Sequence, residues 1–300
     1  MLKNIASIIS FLFSHPLTRN HRTAAMVKFA RWQIGARILG RAVIVPWVDE
    51  SVFIASIGET GLTGNLYTGF MEFEDMLFLL HALRSDEVFV DVGANIGAYT
   101  ILASKVVRAN SISFEPLPDT AIRLQNQVQI NDIREKVSIR NRGVGDRSGC
   151  LLFTNNQDTI NRVSLSGVGK NTTEVPVTTL DEELEENIKY FFKIDVEGFE
   201  YNVIKGASKI LSSLNAFALI IELNGSGKEY GYDDQDIHDL VVGLDFQPIS
   251  YDPIQRKVKR LTTYNRNGQN TIYVKDIDAI AARCSEAPAR YVHTAFGVRI

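Results

Sequence analysis

The sequence has 300 residues, 45% of them hydrophobic, a formal net charge of −3 and two cysteines. A chain of this size and composition buries a substantial core, which excludes a disordered or fibrous protein. Cys150 and Cys284 are far apart and no Cys/His cluster accompanies them, which argues against a disulfide framework and a zinc site. A reducing, cytoplasmic location is therefore expected.

The N-terminal segment is basic. No acidic residue precedes Asp49, whereas seven lysines and arginines do, so the remaining 252 residues carry a net charge of −10. The apolar stretch at residues 5–13 is shorter than the roughly 20 residues that span a bilayer, and no convincing signal-peptide cleavage site follows it. Three interpretations stay open: a helix packed on the domain, peripheral contact with an anionic membrane surface at the inner membrane face, or a homodimer contact.

A small hairpin is predicted for residues 43–60. The stretch TGNLYTGFMEFED, at residues 63–75, then mixes aromatic and acidic side chains. Lids commonly exclude water from reacting groups. Three side chains are candidates for a lid or a substrate contact: Tyr67, Thr68 and Glu72. The alternative is the start of a helix with Phe70 and Phe73 packed inward.

From residue 87 onward, short β-branched or aromatic runs alternate with helical patterns. Strands are predicted at 88–92, 111–115, 137–141, 191–196, 217–223, 246–250 and 271–275. Helices are predicted at 96–107 and 199–211, and Thr179 with Glu182 marks another helix start. Such alternation implies a mostly parallel sheet covered on both faces, with the last two strands as an antiparallel pair.

The polar stretch 154–174 is the longest without a strand or helix pattern, and it is predicted to be a long loop. His238 lies in a predicted helix and is interpreted as a packing or surface residue.

The first strand ends on an acid, Asp91, and runs into a loop containing Gly93, Asn95 and Gly97. Ligands of doubly wound sheets bind outside the carboxyl ends of the strands. Glycine permits tight turns and close approach, and asparagine tolerates left-handed backbone. The middle glycine of G-x-G-x-x-G is missing, so the dinucleotide fingerprint is not met. The loop therefore predicts a ligand with an amine or hydroxyls.

The second strand ends on Glu115, 24 residues after Asp91. This is near the roughly 20-residue spacing at which an acid accepts the hydroxyls of a ribose. Pro116 stops the strand and keeps Glu115 at its rim. An acid at a strand end is often only solvated, but together with the glycine loop it predicts a nucleoside.

Seven blocks of sequence, in this order, resemble the FkbM-type family of S-adenosylmethionine-dependent methyltransferases: DVGANIGAYT, FEPLP, LQNQVQIN, GVGDRSG, VPVTTLDE, KIDVEGFEYNVIKGA and LIIEL. The resemblance covers about residues 67–224. It implies an α/β, Rossmann-like class I methyltransferase fold with a seven-stranded, mostly parallel sheet whose last strand is antiparallel. We expect an N-terminal extension of helices and a hairpin at 1–66, the methyltransferase domain at 67–276 and a C-terminal tail at 277–300.

The resemblance also implies roles for individual residues. Four would line the methionine and sulfonium part of the donor: Asp91, Gly93, Asn95 and Gly97. Glu115 would hold the ribose. Three residues would lie beside the adenine: Asn141, Gly143 and Val144. The implied activity is O-methylation of a hydroxyl, for which a sugar, glycan or glycolipid is our hypothesis.

Methyl transfer to an alcohol is an in-line displacement, to which alignment contributes up to roughly 7–11 kcal/mol. A base adds about 10²- to 10⁴-fold. The candidate bases end the fourth and fifth strands: Asp195, the first choice, then Glu197 and Glu222. These carboxylates could also hold Mg²⁺ or Ca²⁺, but no metal is predicted. Alternatively, Glu197 caps the next helix and backbone amides hold Glu222.

Two other functions stay open. One is an NAD-dependent sugar dehydrogenase or epimerase on a related fold, against which the missing glycine argues. The other is a catalytically inactive protein that binds the donor or a partner. Nucleic acid is not an expected partner, because the core is acidic and has no basic stripe with stacking aromatics.

Overall fold

The computed structural model describes residues 2–56, 60–155, 161–164 and 171–300. Its helices, in chain order, are α1 Leu2–Ser14, α2 Arg22–Leu39, α3 Thr60–Thr68, α4 Phe73–Ala82, α5 Ala98–Ile101, α6 Pro118–Ile130, α7 Leu180–Glu183, α8 Glu200–Lys205, α9 Ser208–Ser212, α10 Asp234–Val242 and α11 Ile277–Glu286. Residues Leu102–Val107 continue α5 as a π-helix, and Ser226–Tyr230 form a 3₁₀ turn. Within these ranges, no helix is long and apolar enough to cross a membrane.

The strands are β1 Val43–Pro46, β2 Val52–Ala55, β3 Val88–Val92, β4 Asn110–Phe114, β5 Val137–Arg140, β6 Gly143–Val144, β7 Gly149–Thr154, β8 Thr172–Thr178, β9 Tyr190–Ile194, β10 Ala216–Glu222, β11 Gln247–Asp252, β12 Lys257–Arg260, β13 Asn270–Val274, β14 Tyr291–Val292 and β15 Val298–Arg299. The predicted hairpin is confirmed for its described part, because β1 pairs with β2 in antiparallel fashion. Residues 57–59 of that prediction lie outside the described residues.

The central sheet has eight strands in the order β12-β11-β13-β10-β9-β3-β4-β5. Strands β5, β4, β3, β9 and β10 are parallel, and β13 enters antiparallel between β10 and β11. This arrangement confirms the Rossmann-like methyltransferase fold with an antiparallel last strand. The additional edge strand β12, which pairs with β11, was not predicted.

Both faces of the sheet are covered, because alternate strand residues point into two separate hydrophobic cores. Phe89 and Phe191 pack on one side with the N-terminal elements, α4 and α11. Val90 and Phe192 pack on the other side with α8, α9 and α10. His238 of α10 is a packing residue, since it is buried and its ring nitrogen lies 2.9 Å from the Tyr273 hydroxyl oxygen.

The three predicted sequence ranges contribute to one of these cores. Leu12, Trp47 and Phe53 of the N-terminal range share it with Cys284 and Val292 of the C-terminal range. The two ends of the chain are also joined directly, because Val48 and Val292 form an isolated antiparallel bridge. The hairpin β1–β2 is therefore held by elements from both ends of the chain.

The helix predicted at 199–211 is wrong as a single element. It is two short helices, α8 and α9, separated at Gly206. A side chain at Gly206 would begin 2.0 Å from the Gly145 carbonyl oxygen. The Asp181 carboxylate then accepts hydrogen bonds from the Lys209 and Ile210 amides and caps α9 from another segment.

The predicted loop at 154–174 lies largely outside the described residues. Its described ends belong to a small sheet of order β6-β8-β7, in which Phe153 also bridges to Val163. Thr179 caps α7 as expected, accepting from the Glu182 amide at 3.2 Å. This small sheet stands beside the carboxyl ends of β3, β4 and β9 and forms one wall of the site.

Candidate active site

Asp91 supports the site from beneath. It is 2% exposed, and its carboxylate accepts a 2.6 Å hydrogen bond from the Thr100 hydroxyl. Burial raises the pKa of Asp91 to about 6, although the Thr100 hydrogen bond and the Lys193 ammonium oppose the shift. Asp91 does not line the hollows beside the loop, so its predicted contact with a ligand stays a prediction.

The loop after β3 has a backbone that its sequence explains. Gly93, Asn95 and Gly97 have φ of 80°, 50° and 88°, all in the left-handed region. A Cβ on Gly93 would lie 1.8 Å from the Asp195 carbonyl oxygen. A Cβ on Gly97 would lie 2.3 Å from a methyl carbon of Leu124. Glycine at both positions lets this loop pack against the loop after β9 and against α6.

Gly93→Ala is expected to destabilise the protein by about 1–3 kcal/mol, the usual cost of a strained backbone position. Its new methyl group would also press on the Asp195 backbone. Gly149→Ala is the matched control, because no atom lies within 4 Å of a Cβ at that position. Urea unfolding measures both. Equal stabilities of the two variants would contradict this account of the loop.

Glu115 is 6% exposed and holds two backbone amides. Its carboxylate oxygens accept from the Asn95 and Leu117 amides, each at 3.0 Å. Burial raises the pKa of Glu115 to about 7, against the effect of these hydrogen bonds. Asn141 donates from its side-chain amide to the backbone oxygens of Glu115 and Pro116. Each carboxylate oxygen retains a second acceptor site, which suits a pair of hydroxyls.

Two adjoining hollows lie between these loops and the small sheet. The first is lined by loop residues predicted to bind the donor together with candidate bases: Gly93, Asn95, Glu115, Asp195 and Glu197. The second is more apolar, and its lining includes Gly143, Val144, Phe153, Val163 and Phe199. Gly93 and Phe153 border both. The two hollows thus bring together seven of the 14 predicted site residues. Gly97, Asn141 and Glu222 line neither hollow.

The hollows are narrow, with volumes of about 50 and 20 Å³. Ligand pockets commonly have roughly 300–1,000 Å³. A nucleoside therefore enters only if lining side chains move apart. Phe153 borders both hollows and was missed by the sequence reasoning, although LLFT at 151–154 has the pattern of a strand.

The three candidate bases are brought together. One carboxylate oxygen from each of Asp195, Glu197 and Glu222 lies within 4.8 Å of the others. Burial, and secondarily the Asp195 charge, raises the pKa of Glu222 to about 9 and that of Glu197 to about 7. Within the described residues, Glu222 Oε2 is buried and has no hydrogen-bond partner. Backbone amides therefore do not hold this oxygen.

Glu200 holds the loop after β9. Its carboxylate accepts from the Val196 amide at 3.0 Å and the Gly198 amide at 3.1 Å. The backbone of this loop is left-handed at two residues: Glu197 at φ of 55°, which is strained for a residue with a side chain, and Gly198 at 103°, which glycine adopts freely. Phe199 is the N-cap of α8 and makes no side-chain capping hydrogen bond, so the capping role considered for Glu197 is not observed. Glu197 lines the first hollow instead.

Lys193 is the cation of the site, and the sequence reasoning did not single it out. It is 2% exposed, lies in β9 next to Asp91 in register, and donates to the Asp195 carboxylate at 2.8 Å. Burial alone would lower the pKa of Lys193, but the Asp195 and Glu72 carboxylates outweigh it and raise that pKa. The signal was present, since YFFKI places one lysine in an otherwise apolar strand.

Among the lid candidates, Glu72 is linked to Lys193 through hydrogen bonds of the Asn270 side chain. Glu72 accepts from the Tyr99 hydroxyl at 2.6 Å and from the Asn270 side-chain amide at 3.1 Å. Asn270 also donates to Asp75 at 2.9 Å, and its oxygen lies 3.4 Å from the Lys193 ammonium. Burial and the Glu72 charge raise the pKa of Asp75 to about 7.

Tyr67 and Thr68 make their hydrogen bonds elsewhere. The Tyr67 hydroxyl accepts from the Gln33 side chain at 2.8 Å. The Thr68 hydroxyl donates to the Gly64 and Phe70 carbonyl oxygens. Both residues are buried, and neither lines the two hollows. The structure therefore does not bring these two residues to the carboxylates.

The residues present fit a ribosylated cation better than they fit a metal. Glu115 has free acceptor sites and lines the first hollow together with Gly93 and Asn95. The acidic cluster suits a positive sulfonium. A divalent ion there would compete with the Lys193 ammonium, which already pairs with Asp195.

The model of the FkbM methyltransferase domain matches residues 91–248, which include the glycine loop, Glu115 and all three clustered carboxylates. The chain belongs to the FkbM methyltransferase family. This FkbM protein is 32% identical over 171 residues to the hexuronic acid methyltransferase AglP of Haloferax volcanii. That match spans 54% of the chain and 64% of the relative's length.

The FkbM protein also has loose similarity to solved structures. An rRNA methylase from Streptococcus thermophilus has a TM-score of 0.37 and 14% identity, covering 66% of this chain and 91% of that one. TYW2 of Pyrococcus horikoshii, solved in complex with MeSAdo, has a TM-score of 0.39 and 12% identity, covering 83% and 84%. The fold of the FkbM protein is assigned from its own strand order and not from these similarities.

Proposed function

We propose that the protein transfers a methyl group from S-adenosylmethionine to a hydroxyl of a sugar, glycan or glycolipid. One observation carries the proposal. The first hollow is lined by the loop residues Gly93 and Asn95 and by Glu115, and the candidate bases Asp195 and Glu197 line the same hollow. Donor-binding groups and proton acceptors therefore face one space, as a transfer between two bound molecules requires.

The chain's own residues bind and orient the reactants. Bound S-adenosylmethionine supplies an electrophilic methyl group. Glu115 accepts the ribose hydroxyls while its amide hydrogen bonds fix its rotamer. Gly143 and Val144 provide an apolar surface for the adenine. The acidic cluster stabilises the positive charge of the sulfonium group before transfer.

A carboxylate at the rim accepts the proton of the acceptor hydroxyl. Asp195 is held in place by Lys193 and orients the acceptor. Glu197, whose pKa is raised to about 7, is ionised often enough at neutral pH to act as the base. Glu222, with a pKa of about 9, is protonated at that pH and donates a hydrogen bond to the acceptor. No metal is needed in this arrangement.

Activity should therefore rise with pH. A base must be ionised, so kcat/KM is expected to increase about tenfold per pH unit below pH 7 and then level off. Glu197→Gln should flatten this limb, whereas the exposed Glu186→Gln should leave it unchanged. A complete pH profile for each variant makes the comparison. An unaltered limb in Glu197→Gln would transfer the role of base to Asp195.

The proposed acceptor class rests on the FkbM relative that is named a hexuronic acid methyltransferase. Its test is incubation of the protein and radiolabelled S-adenosylmethionine with glycan, lipid and small-molecule extracts of cells. Label in saccharide or glycolipid supports the proposal. Label confined to protein or RNA, or binding of NAD in place of the donor, would overturn it.

We also propose that the N-terminal segment contacts an anionic membrane surface. Four large apolar side chains on α2 are exposed, and three of them recur at helical spacing on one face: Val27 at 47%, Ile34 at 61% and Ile38 at 79%. Arg31 lies on the same face. Apolar groups between cations, in a segment without acids, match the chemistry of anionic lipid headgroups.

Co-sedimentation with vesicles of phosphatidylserine and phosphatidylcholine tests this contact. Binding of the protein to the vesicles should decrease as the salt concentration is raised, because salt screens the attraction between the basic segment and the anionic lipids. The double variant Ile34→Ser, Ile38→Ser should weaken vesicle binding several-fold. Leu214→Ser, at an exposed leucine outside α2, should not weaken it. No binding by the unaltered protein, together with a dimer in solution that the double variant abolishes, would assign this face to a homodimer.

A further inference from the structure

A second open groove lies beside the site, on the far side of the wall formed by Phe199 and Tyr230. It has a volume of about 540 Å³, far larger than the two hollows. Its floor and sides come from the turn and strand at 145–151, from α8 and from the segment at 229–232. The function proposed above makes no use of this groove.

Aromatic side chains form one side of the groove. Tyr232 lines it and stacks on Tyr201, with ring centroids 3.9 Å apart and planes 13° from parallel. Phe199 and Tyr230 also line it, in an edge-to-face pair 5.3 Å apart. All four rings are partly exposed. Rings fixed against one another present flat apolar surfaces with little entropy left to lose on binding.

The groove borders the catalytic cluster. Phe199 lines both the groove and the apolar hollow. Tyr230 packs against Gly198, the residue after Glu197, where a Cβ would meet the tyrosine ring at 2.9 Å. Its hydroxyl donates to the Val163 carbonyl oxygen at 2.7 Å. A chain-like acceptor held at Glu197 therefore reaches the groove by passing one aromatic side chain.

The remaining lining is mixed. Leu151 and Val177 are apolar, whereas the polar or charged lining residues include Asp146, Arg147, Asn202 and Glu229. A pyranose offers C–H faces that pack on aromatic rings and hydroxyls that bond to carboxylates, amides and guanidinium groups. A groove that combines both within a few residues matches a sugar ring better than it matches an apolar ligand.

We propose that this groove binds a sugar residue of the glycan acceptor, one or more units away from the hydroxyl that is methylated. That the bound sugar belongs to the methyl acceptor rests on the proposed function. Binding of the sugar in the groove does not depend on methyl transfer. Tyr232 supplies the stacking surface, and Asn202 and Asp146 fix the orientation of the ring.

Cys150 provides a direct probe of occupancy. It is exposed and lines the groove, whereas Cys284, the other cysteine, is buried and burial raises its pKa to about 11. A thiol reagent such as Ellman's reagent therefore modifies Cys150 in the folded protein. Methyl glucoside and methyl glucuronoside, at increasing concentration and without donor, should slow this reaction saturably, by at least about threefold. Cys150→Ser should remove the fast reaction altogether.

Two variants decide the assignment. Tyr232→Ala should abolish the protection of Cys150, because it removes the stacking surface. Tyr291→Ala, at a half-exposed tyrosine of the C-terminal hairpin, should retain it. Absence of protection in the unaltered protein, equal protection in Tyr232→Ala, or protection by adenosine but not by either sugar would each overturn the proposal.

Calorimetry with S-adenosylhomocysteine on the same samples separates the two proposals. Protection of Cys150 by sugar without binding of S-adenosylhomocysteine would contradict the proposed methyl transfer but support the sugar site in the groove. Binding of S-adenosylhomocysteine without protection by sugar would contradict the sugar site but support the donor site. With the glycan substrate, Tyr232→Ala should raise KM about five- to tenfold while kcat stays unchanged, as expected from the loss of one aromatic contact.

Discussion

Glu115→Ala is expected to weaken the binding of S-adenosylhomocysteine by at least about 100-fold. Hydrogen bonds to a charged group contribute about 1.5–3 kcal/mol each, and the proposed ribose contact has two of them. The variant also frees the Asn95 and Leu117 amides, which this carboxylate now holds at 3.0 Å. Isothermal titration calorimetry gives the affinity directly.

The control for this experiment is Glu174→Ala, an exposed glutamate on β8. It removes the same side chain from a strand without touching the site, so affinity should not change. Melting temperatures of both variants show whether loss of binding reflects loss of folding. A well-folded Glu115→Ala protein that binds the product with unaltered affinity would remove Glu115 from the donor site. Binding of NAD by the unaltered protein would favour the dehydrogenase alternative.

Lys193→Met is expected to destabilise the protein by about 3–5 kcal/mol at pH 8, the usual cost of breaking a buried ion pair from one side. Its ammonium pairs with Asp195 at 2.8 Å and lies 5.3 Å from the centre of the Tyr99 ring. Methionine removes the ammonium that balances the neighbouring carboxylates. Because position 193 is buried, water cannot take its place. Urea unfolding gives the free energy.

The loss should be smaller at pH 5. The pKa values of Asp91, Asp75 and Glu222 are raised to about 6, 7 and 9 by burial. A carboxyl group whose pKa is raised on folding stabilises the fold below its ordinary pKa and loses that contribution as pH rises through the raised value. Without Lys193 these values rise further, so the variant's stability should fall steeply between pH 5 and 8.

A second variant isolates the pair itself. Lys193→Met combined with Asp195→Asn should cost less than the two single changes together, because the hydrogen-bonded partner of Lys193 is then no longer a charged group without its cation. Lys257→Met, at an exposed lysine of β12, should be nearly neutral. Additive single changes, or a Lys193→Met protein as stable at pH 8 as at pH 5, would contradict a role for Lys193 as the buried counter-charge.

The central sheet was predictable because its strands are buried on both faces. Runs such as VFVDV and FALIIEL are apolar except for one acid near the end of each, and each is bounded by residues that stop a strand, so type and order followed from the sequence. The glycine loop and Glu115 were predictable for a related reason. Each follows directly after a buried strand, at the edge of the sheet where the carboxyl ends of the strands meet. Ligands of such sheets bind at this edge, so polar residues there indicate a binding site.

The parts that failed depend on contacts between distant segments. Gly206, the C-cap of α8, has the Gly145 carbonyl oxygen where a side chain would begin, and no local pattern records that neighbour. Lys193 looked like one residue in a strand, whereas its importance comes from the Asp195 and Glu72 carboxylates that face it. Phe153 borders the hollows only because β7 folds back over them.

The bridge between Val48 and Val292 has a consequence for engineering of the protein. Asp49 also accepts from the Tyr291 amide at 2.8 Å, so the hairpin is fastened to the far end of the chain. A version cut to residues 67–276 would lack Trp47 and Cys284, which belong to the same core as Phe70 and Phe78. It would expose the apolar side chains that these residues help to cover, among them Phe70, whose ring centroid lies 6.4 Å from that of Trp47, and should aggregate. The FkbM domain of this protein is therefore not portable, because grafting it into another polypeptide requires both flanking segments to be included.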